Sequence, residues 1–388
     1  MIKGDKPTTI LITGATGNIG ARILVELLGC GHKIRLLALV RGKSDQEARS
    51  RLNTSLRRIA PDLVDWGSTQ FIGVLCGDIT AADLGLSVTV RDELIRSVTH
   101  IIHAAASTQW HLPLDSARGV NVAGTENMLR LARHAHRGGH LKRFVYVSTA
   151  YVCGEREGII KEVAHTGRLR FANTYEQTKW EAEQRVTALQ KELPVTIMRP
   201  SITVGDSRTG LAVTYNVLYP PLKYILTGKL TTLTCPPENR LDLVPVDYVA
   251  RAVTHLTLHS ESKSGTIFHL TAGPDRSMSI AEIVERALYL TGDRRTDPPV
   301  AYADTVDSAV RGMPEANRKV AALMNLYSSY LQVERDFDDS NTRTALKNSG
   351  IQLPDLRGYI DTLLKAFIAQ ETVCRQPLFV PTAGVGKL

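Results

Sequence analysis

Residues 8–28 leave the chain few ways to fold. Thr8-Thr9-Ile10-Leu11-Ile12-Thr13 is a β-rich apolar run that stops at Gly14-Ala15-Thr16-Gly17-Asn18-Ile19-Gly20, and the amphipathic run Ala21–Leu28 follows. Strand, glycine turn and helix start stand in the order that a dinucleotide site requires. Gly14 permits the tight turn, Gly17 lets backbone approach a pyrophosphate, and Gly20 lets the helix pack closely on the strand. Thr16, Asn18 and Ile19 belong to the same loop and first turn, where a helix N-terminus offers N–H groups and positive potential. The spacing is G-x-x-G-x-x-G rather than G-x-G-x-x-G.

Lys33–Val40 reads as a second strand, apolar enough for burial on both faces, as parallel strands are. It ends in Arg41-Gly42-Lys43-Ser44. An NAD site usually carries Asp or Glu here for the ribose hydroxyls. Arg41 and Lys43 suit a 2′-phosphate instead, which predicts NADPH over NADH; the alternative is a solvated basic loop with Asp45 close by. A helix over Asp45–Arg58 leads to a third strand, Gln70–Leu75, and to the turn Gly77-Asp78-Ile79-Thr80 at its C-terminal end. Ligands of open parallel sheets bind at such ends, so Asp78 either accepts from an adenine amine or caps the turn, with Ile79 beside it. After a helix at Val90–Val98, strand Thr99–His103 runs into Ala104-Ala105-Ala106, small enough for a cofactor to approach the backbone. His103 reads as a packed strand residue rather than a base. Asn121 and Gly124 fall inside the helical run Asp115–His134, where propensity disfavours both. Such exceptions mark a close backbone contact or a polar site.

Arg143–Ser148 is the next strand, closed by Ser148-Thr149, and a helix is predicted over Tyr175–Glu192. Tyr175 and Lys179 stand four residues apart on one helical face. A cation near a phenol favours the phenolate, so the tyrosine is expected to titrate closer to neutrality. Thr149, 26 residues upstream of Tyr175, can share a substrate carbonyl oxygen with the phenol. Strand Val195–Pro200 completes a β-α-β pattern. It predicts an α/β fold: a Rossmann-like, doubly wound parallel sheet over 1–207. From Arg208 the organisation changes. A Tyr/Pro segment (Tyr215–Pro221) precedes a return to the sheet over about 240–272, through Leu241–Val246, a helix at Tyr248–His259 and strand Thr266–Thr271. Helices at Ile280–Thr291, Glu315–Leu326 and Leu356–Ala369, with a Pro298-Pro299 linker, predict a smaller, mainly helical lobe from 208–240 and 273–376. A tail follows at 377–388.

Composition narrows the partners. The net charge of +8 comes from dispersed basic residues, with neither the dense run nor the aromatic interleaving of a nucleic-acid interface. No stretch nears the ~20 apolar residues that span a bilayer, and Met1–Pro7 lacks a signal-peptide core, so the cytoplasm is the expected compartment. The five cysteines are scattered without a C-x-x-C pair, which fits reduced thiols and no metal site. Cys153 reads as inert packing.

Gly14/Gly17/Gly20, Thr149, Tyr175 and Lys179 resemble, in order and spacing, the short-chain dehydrogenase/reductases, and the chain resembles the extended branch of that superfamily. Within that branch it looks like the thioester-reductase and fatty acyl-CoA reductase group. That group includes the reductase domains that end carboxylic acid reductases and nonribosomal peptide synthetases. The matching stretches are 11–20, 39–49, 175–183, 205–210 and 240–250, with Gly77-Asp78-Ile79-Thr80 and Leu84-Gly85-Leu86 between. The resemblance implies NADPH lying across the carboxyl ends of the strands, with its nicotinamide near Pro200, Ser201 and Ile202. It implies that Tyr175 supplies a proton and that Lys179 also binds the nicotinamide ribose. The substrate is then an acyl thioester, reduced to aldehyde and, by a second hydride, to alcohol. The resembled domains usually follow an adenylation or carrier domain, and neither stands in these 388 residues; the acyl group is expected to arrive on coenzyme A or on a separate acyl or peptidyl carrier protein. Two alternatives keep the same motifs: a carbonyl reductase, dehydrogenase or epimerase acting on a ketone, sterol-like alcohol or nucleotide sugar, and a sensor that binds NADP without turnover. Trp110, His111, Tyr215 and Tyr219 read as core or rim packing at the acyl cleft.

Overall fold

The computed structural model describes residues 8–30, 34–65, 68–110, 112–291, 300–303, 327, 330–333 and 335–373. The expected helix at Glu315–Leu326, the Pro298-Pro299 linker, His111 and the 377–388 tail lie outside them.

Seven strands form one parallel sheet: β1 (Thr8–Thr13), β2 (Ile34–Val40), β3 (Ile72–Cys76), β4 (His100–His103), β5 (Arg143–Val147), β6 (Val195–Pro200) and β7 (Thr266–Leu270). Their order across the sheet is β7-β6-β5-β4-β1-β2-β3, with every pairing parallel. The order reverses at β1, so a crevice opens at the carboxyl ends of β1 and β4, the position where doubly wound sheets take ligands.

Alternation along the strands explains why helices cover both faces. Ile10 and Ile12 pack in one apolar layer with Leu36, Ala38 and Val40, while Leu11, Leu37 and Leu39 pack in the other. The first layer is closed by α1 (Asn18–Gly29) and α2 (Asp45–Ile59), together with the helix Val246–His259; the second by α3 (Val88–Ser97), α4 (Gly124–Arg137) and α5 (Thr174–Ala188).

The return to the sheet differs from the expectation. Leu243–Pro245 does not join the seven strands; it pairs in parallel with Ile202–Val204 in a separate two-stranded sheet. Only Thr266–Leu270 rejoins the main sheet, beside β6. The apolar pattern Leu241–Val246 is common to both fates, since each buries the strand.

A third apolar core is built from the lobe. It joins helices Tyr219–Leu226, Ile280–Thr291 and Ile360–Val373 to Ile202, Val204, Leu241 and Leu243. Tyr215 and Tyr219 pack edge to face there, 4.7 Å between ring centroids, with Phe367 against both. Both tyrosines are core residues.

Candidate active site

The glycine loop is set by sterics. Gly14 has φ +75°, and a Cβ there would meet the Ala104 carbonyl carbon at 2.6 Å. A Cβ on Gly20 would collide with the Gly14 carbonyl oxygen, so the helix packs on the loop itself. Gly17 is the N-cap of α1 and no side chain caps the helix. The first N–H groups of a 12-residue helix therefore face the crevice. The Asn18 side chain turns away: its Oδ1 accepts from Val213 N at 3.0 Å and ties the lobe to the loop. The Thr16 carbonyl accepts from Ser55 on α2 at 3.1 Å. Ile19 is half-buried beside it.

Arg41 and Lys43 are exposed at the end of β2, and their side chains bond to no other described residue. Ser44 and Glu47 organise the start of α2: Glu47 N donates to Ser44 Oγ at 3.2 Å and Lys43 N donates to Glu47 Oε2 at 2.9 Å, a reciprocal cap. The two cations thus project from a fixed turn. Asp78 accepts from Thr80 N and Thr80 Oγ1 through one oxygen, at 2.8 and 2.9 Å, so it caps its turn and keeps the second oxygen free of partners among the described residues. Ile79 is buried and its side chain lies over Gly124, where a Cβ would meet Ile79 Cδ1 at 2.7 Å. The mid-helix glycine is explained by that contact.

Asn121 is explained as well. The run from Leu114 to Arg137 is broken by a π turn at Gly119–Ala123. The turn aims the buried Asn121 amide between two elements. Its Oδ1 accepts from Ser107 N at 2.8 Å, and its Nδ2 donates to Ser107 O at 3.1 Å and Thr178 Oγ1 at 2.9 Å. Asn121 therefore clamps the chain after Ala104-Ala105-Ala106 to α5.

α5 starts at an N-cap, Asn173, whose side chain accepts from Glu176 N at 2.9 Å while Glu176 Oε2 accepts from Ala172 N at 3.2 Å. This fixes the first turn, which carries Tyr175. Thr149 follows β5, buried, and its hydroxyl accepts from Tyr151 N at 3.3 Å; the partly exposed Tyr175 phenol lies close enough for that hydroxyl to lower its pKa. Lys179 lies one turn on and is buried, with Nζ donating to Val147 O at 2.7 Å and lying 4.2 Å from the Tyr146 ring centroid. The three predicted residues meet at the carboxyl end of β5, on the same sheet edge as the glycine loop.

Their electrostatics differ from the expectation. Burial pushes the Tyr175 phenol up to about 12, with the Thr149 hydroxyl pulling it down and Glu176 adding to the rise. Burial brings Lys179 down to about 7, with Glu183 opposing that fall. Desolvation disfavours both charged forms, and the ammonium is engaged by a carbonyl rather than by the phenol. The protein alone favours the uncharged form of both groups more than the i,i+4 spacing suggests.

His103 is fully buried, with Nδ1 2.7 Å from Thr13 Oγ1 and Nε2 3.0 Å from Thr125 Oγ1. Burial lowers its pKa to about 3, so it is a neutral packed residue. Cys153 is fully buried, and burial pushes its thiol up to about 11, which favours the protonated form. Pro200 is buried at the end of β6, and Ser201 Oγ donates to Asp242 Oδ1 at 2.5 Å. Asp242 also accepts from Ala272 N and Gly273 N, at 2.8 and 2.9 Å, which locks the ends of β6 and β7 together.

Sequence reasoning missed Glu183 and Arg199. Arg199 on β6 donates to Glu183 Oε1 at 2.5 Å and Oε2 at 3.1 Å, and both side chains are fully buried. The pair ties α5, which carries Tyr175 and Lys179, to the strand that ends at Pro200. An arginine inside the apolar strand Val195–Pro200 was the available signal, because a buried guanidinium demands an acid.

Among the described residues no cluster of three or more His, Cys, Asp or Glu could hold a metal ion. No helix among them is long and apolar enough to cross a membrane.

Comparison with known proteins places this architecture. The chain is 31% identical over 283 residues to the L-2-aminoadipate reductase large subunit of Penicillium chrysogenum, covering 69% of this chain and 19% of that protein. It is 28% identical over 358 residues to the carboxylic acid reductase of Mycobacterium tuberculosis, covering 83% of this chain and 30% of that one. The chain thus spans a fifth to about a third of the length of such relatives. Among solved structures, the terminal R domain of the myxalamid PKS-NRPS pathway superposes with a TM-score of 0.77 at 27% identity, covering 96% of this chain and 93% of that one. The UDP-glucuronic acid 4-epimerase of Bacillus cereus shares the fold, with a TM-score of 0.66 at 16% identity, covering 93% and 99%. Residues 12–253 match the male sterility protein family, and with that match over more than half its length the chain belongs to this family of NAD-binding domains.

Proposed function

We propose that the chain is an NADPH-dependent reductase of acyl thioesters, with Thr149, Tyr175 and Lys179 as its catalytic residues and the lobe from 208–240 and 273–376 as its substrate-binding part. The observation that carries the chemistry is the Thr149–Tyr175 hydroxyl pair, backed by buried Lys179 and set on the same sheet edge as the glycine loop. The names of the relatives carry the substrate class: a carboxylic acid reductase, aminoadipate reductases and R domains of assembly-line synthetases. A thiolation-reductase di-domain among the solved structures supports delivery on a carrier protein. The residues fit a dinucleotide. The cradle at Gly14 and Gly20 excludes a Cβ, the α1 N-terminus is uncapped, and Arg41 and Lys43 are free to take a 2′-phosphate. Ala104, Ala105, Ala106, Pro200 and Ile202 would line the rest of the cofactor site.

NADPH, when bound, supplies the hydride. Thr149 and Tyr175 donate hydrogen bonds to the thioester carbonyl oxygen and hold the oxyanion that forms as the carbon becomes tetrahedral. Tyr175 gives up its proton to that oxygen. Lys179 stabilises the phenolate left behind. The hemithioacetal then expels the thiol, and the aldehyde leaves; a second round gives the alcohol.

The test is NADPH oxidation with octanoyl-CoA, its pantetheine analogue and octanal, with free thiol measured alongside. Thiol release of one per NADPH consumed (aldehyde product) or one per two (alcohol product) supports the reading. Consumption with the aldehyde alone replaces it with carbonyl reduction. Tyr175→Phe is expected to lose roughly 10²–10⁴-fold in kcat while keeping its NADPH dissociation constant.

A further inference from the structure

One residue of the lobe touches three segments around the reaction groups. Tyr330 is buried. Its ring stacks on Trp110, with 4.8 Å between centroids and 14° between planes, and packs against Tyr151 at 4.7 Å and 58°. Trp110 lies on the loop that follows Ala104-Ala105-Ala106, and Tyr151 stands two residues after Thr149. The Trp110 loop is itself held to α5, because Thr174 Oγ1 lies 3.0 Å from both Trp110 O and Leu112 O and its proton can serve either. The third segment is the start of α5. The Tyr330 hydroxyl accepts from Asn173 Nδ2 at 3.2 Å, which leaves its own proton for a further acceptor. The Glu176 carboxyl lies close enough for that hydroxyl to lower its pKa, against the rise that burial causes. Asn173 and Glu176 are the two side chains whose reciprocal bonds set the first turn, and Tyr175 stands between them.

We propose that Tyr330 is a positioning residue of the reaction site: its ring holds the Trp110 loop and the Thr149 turn in place, and its hydroxyl holds the cap that aims the Tyr175 phenol. Its part in the chemistry rests on the reduction reading. A carbonyl oxygen has to meet the Thr149 and Tyr175 hydroxyls together, and the two stand on different elements. A misplacement of about 1 Å between such groups costs roughly 100-fold in rate. Asn173 and Glu176 cap α5 from within, so their mutual bonds do not fix where the helix start lies relative to the Thr149 turn. Tyr330 touches both at once.

The experiment compares Tyr330→Phe, Tyr330→Leu, Glu176→Gln and the double variant Tyr330→Phe/Glu176→Gln in the full chain, with octanoyl-CoA and octanal as acceptors. Loss of the hydroxyl is expected to lower kcat about 10-fold and loss of the ring about 100-fold. The NADPH dissociation constant should stay within about twofold of the parent value, because neither the glycine loop nor the turn after β2 makes any of these contacts. The double variant should lose little more than the worse single variant, since hydroxyl and carboxyl act through one contact. Amide exchange read by mass spectrometry needs no turnover: Tyr330→Phe should speed exchange in peptides covering 149–153 and 172–178 and leave β1 and α1 unchanged. Local exchange with a kcat loss at constant NADPH affinity supports the assignment. Local exchange in a protein that turns over neither acceptor keeps Tyr330 as the clamp and removes the reduction reading. Unchanged exchange at the start of α5, an unchanged kcat, a fully additive double variant, or exchange that rises throughout the molecule overturns the assignment.

Discussion

Glu183→Gln tests how the site is held together. Glu183 and Arg199 are both fully buried, and the guanidinium donates to both carboxylate oxygens, at 2.5 and 3.1 Å. Each charge-assisted bond contributes about 1.5–3 kcal/mol, so the two together are worth about 3–6 kcal/mol. Removing one partner of a buried pair costs about 3–5 kcal/mol, because the other charge remains without compensation. The neutral amide can still accept one bond from Arg199, which places the variant at the lower end of that range. A drop of roughly 3–5 °C in Tm is expected by calorimetry. The double variant Glu183→Leu/Arg199→Met removes both charges and should recover part of the loss. It will not recover all of it, because Arg199 also donates to Val163 O at 3.0 Å and faces His165 and His269 Nε2 at 3.2 Å each. A second readout separates positioning from mere stability. Glu183 raises the pKa of Lys179, so Glu183→Gln should move the alkaline limb of kcat/KM for NADPH to lower pH. A single variant that melts within about 2 °C of the parent, with an unmoved pH profile, would refute the claim that this pair supports the catalytic helix.

Two further outcomes follow from the same geometry. Arg41→Ser should raise KM for NADPH roughly 10- to 100-fold at unchanged kcat, leaving KM for NADH near its parent value, because a 2′-phosphate loses its charged partner; equal effects on both coenzymes would remove Arg41 from the site. Lys179, at about 7 in the fold against about 10.4 in the unfolded chain, makes activity and stability diverge with pH. Between these values the unfolded chain binds more protons, so stability rises with pH. kcat/KM for NADPH, which needs the ammonium, should fall above about pH 7; a profile flat from pH 6 to 9 would place Lys179 outside the proton chemistry.

The sheet was legible because its strands are apolar runs separated by turn residues, and the residues of β1 and β2 alternate between two apolar layers. The glycine loop was legible because Gly14 and Gly20 occupy positions no other residue fits. Asn121 and Gly124 were visible as anomalies, and each has its cause in a partner far along the chain. Other features were hidden for the same reason. Pairing of Leu243–Pro245 with Ile202–Val204 leaves the apolar pattern of either strand unchanged. The strands Gly158–Ile160 and Arg335–Phe337, which pair in parallel, are three residues each, too short for a period to register. Lys179 reaches Val147 O by tertiary placement, which helical spacing alone does not predict.

The π turn at Gly119–Ala123 has a consequence for how this helix can vary. One extra residue in a turn advances the helical phase by about 100°, so the faces before and after it are set independently. Ahead of the turn, Arg118 reaches Glu181 on α5 at 2.7 Å; behind it, Gly124 lies under Ile79. Deleting one residue would restore a regular helix with better backbone bonding, yet it would rotate one of those faces away from its partner. Local regularity and the clamp at Asn121 are incompatible here, so the most helix-like sequence for this segment is one that would no longer assemble the site.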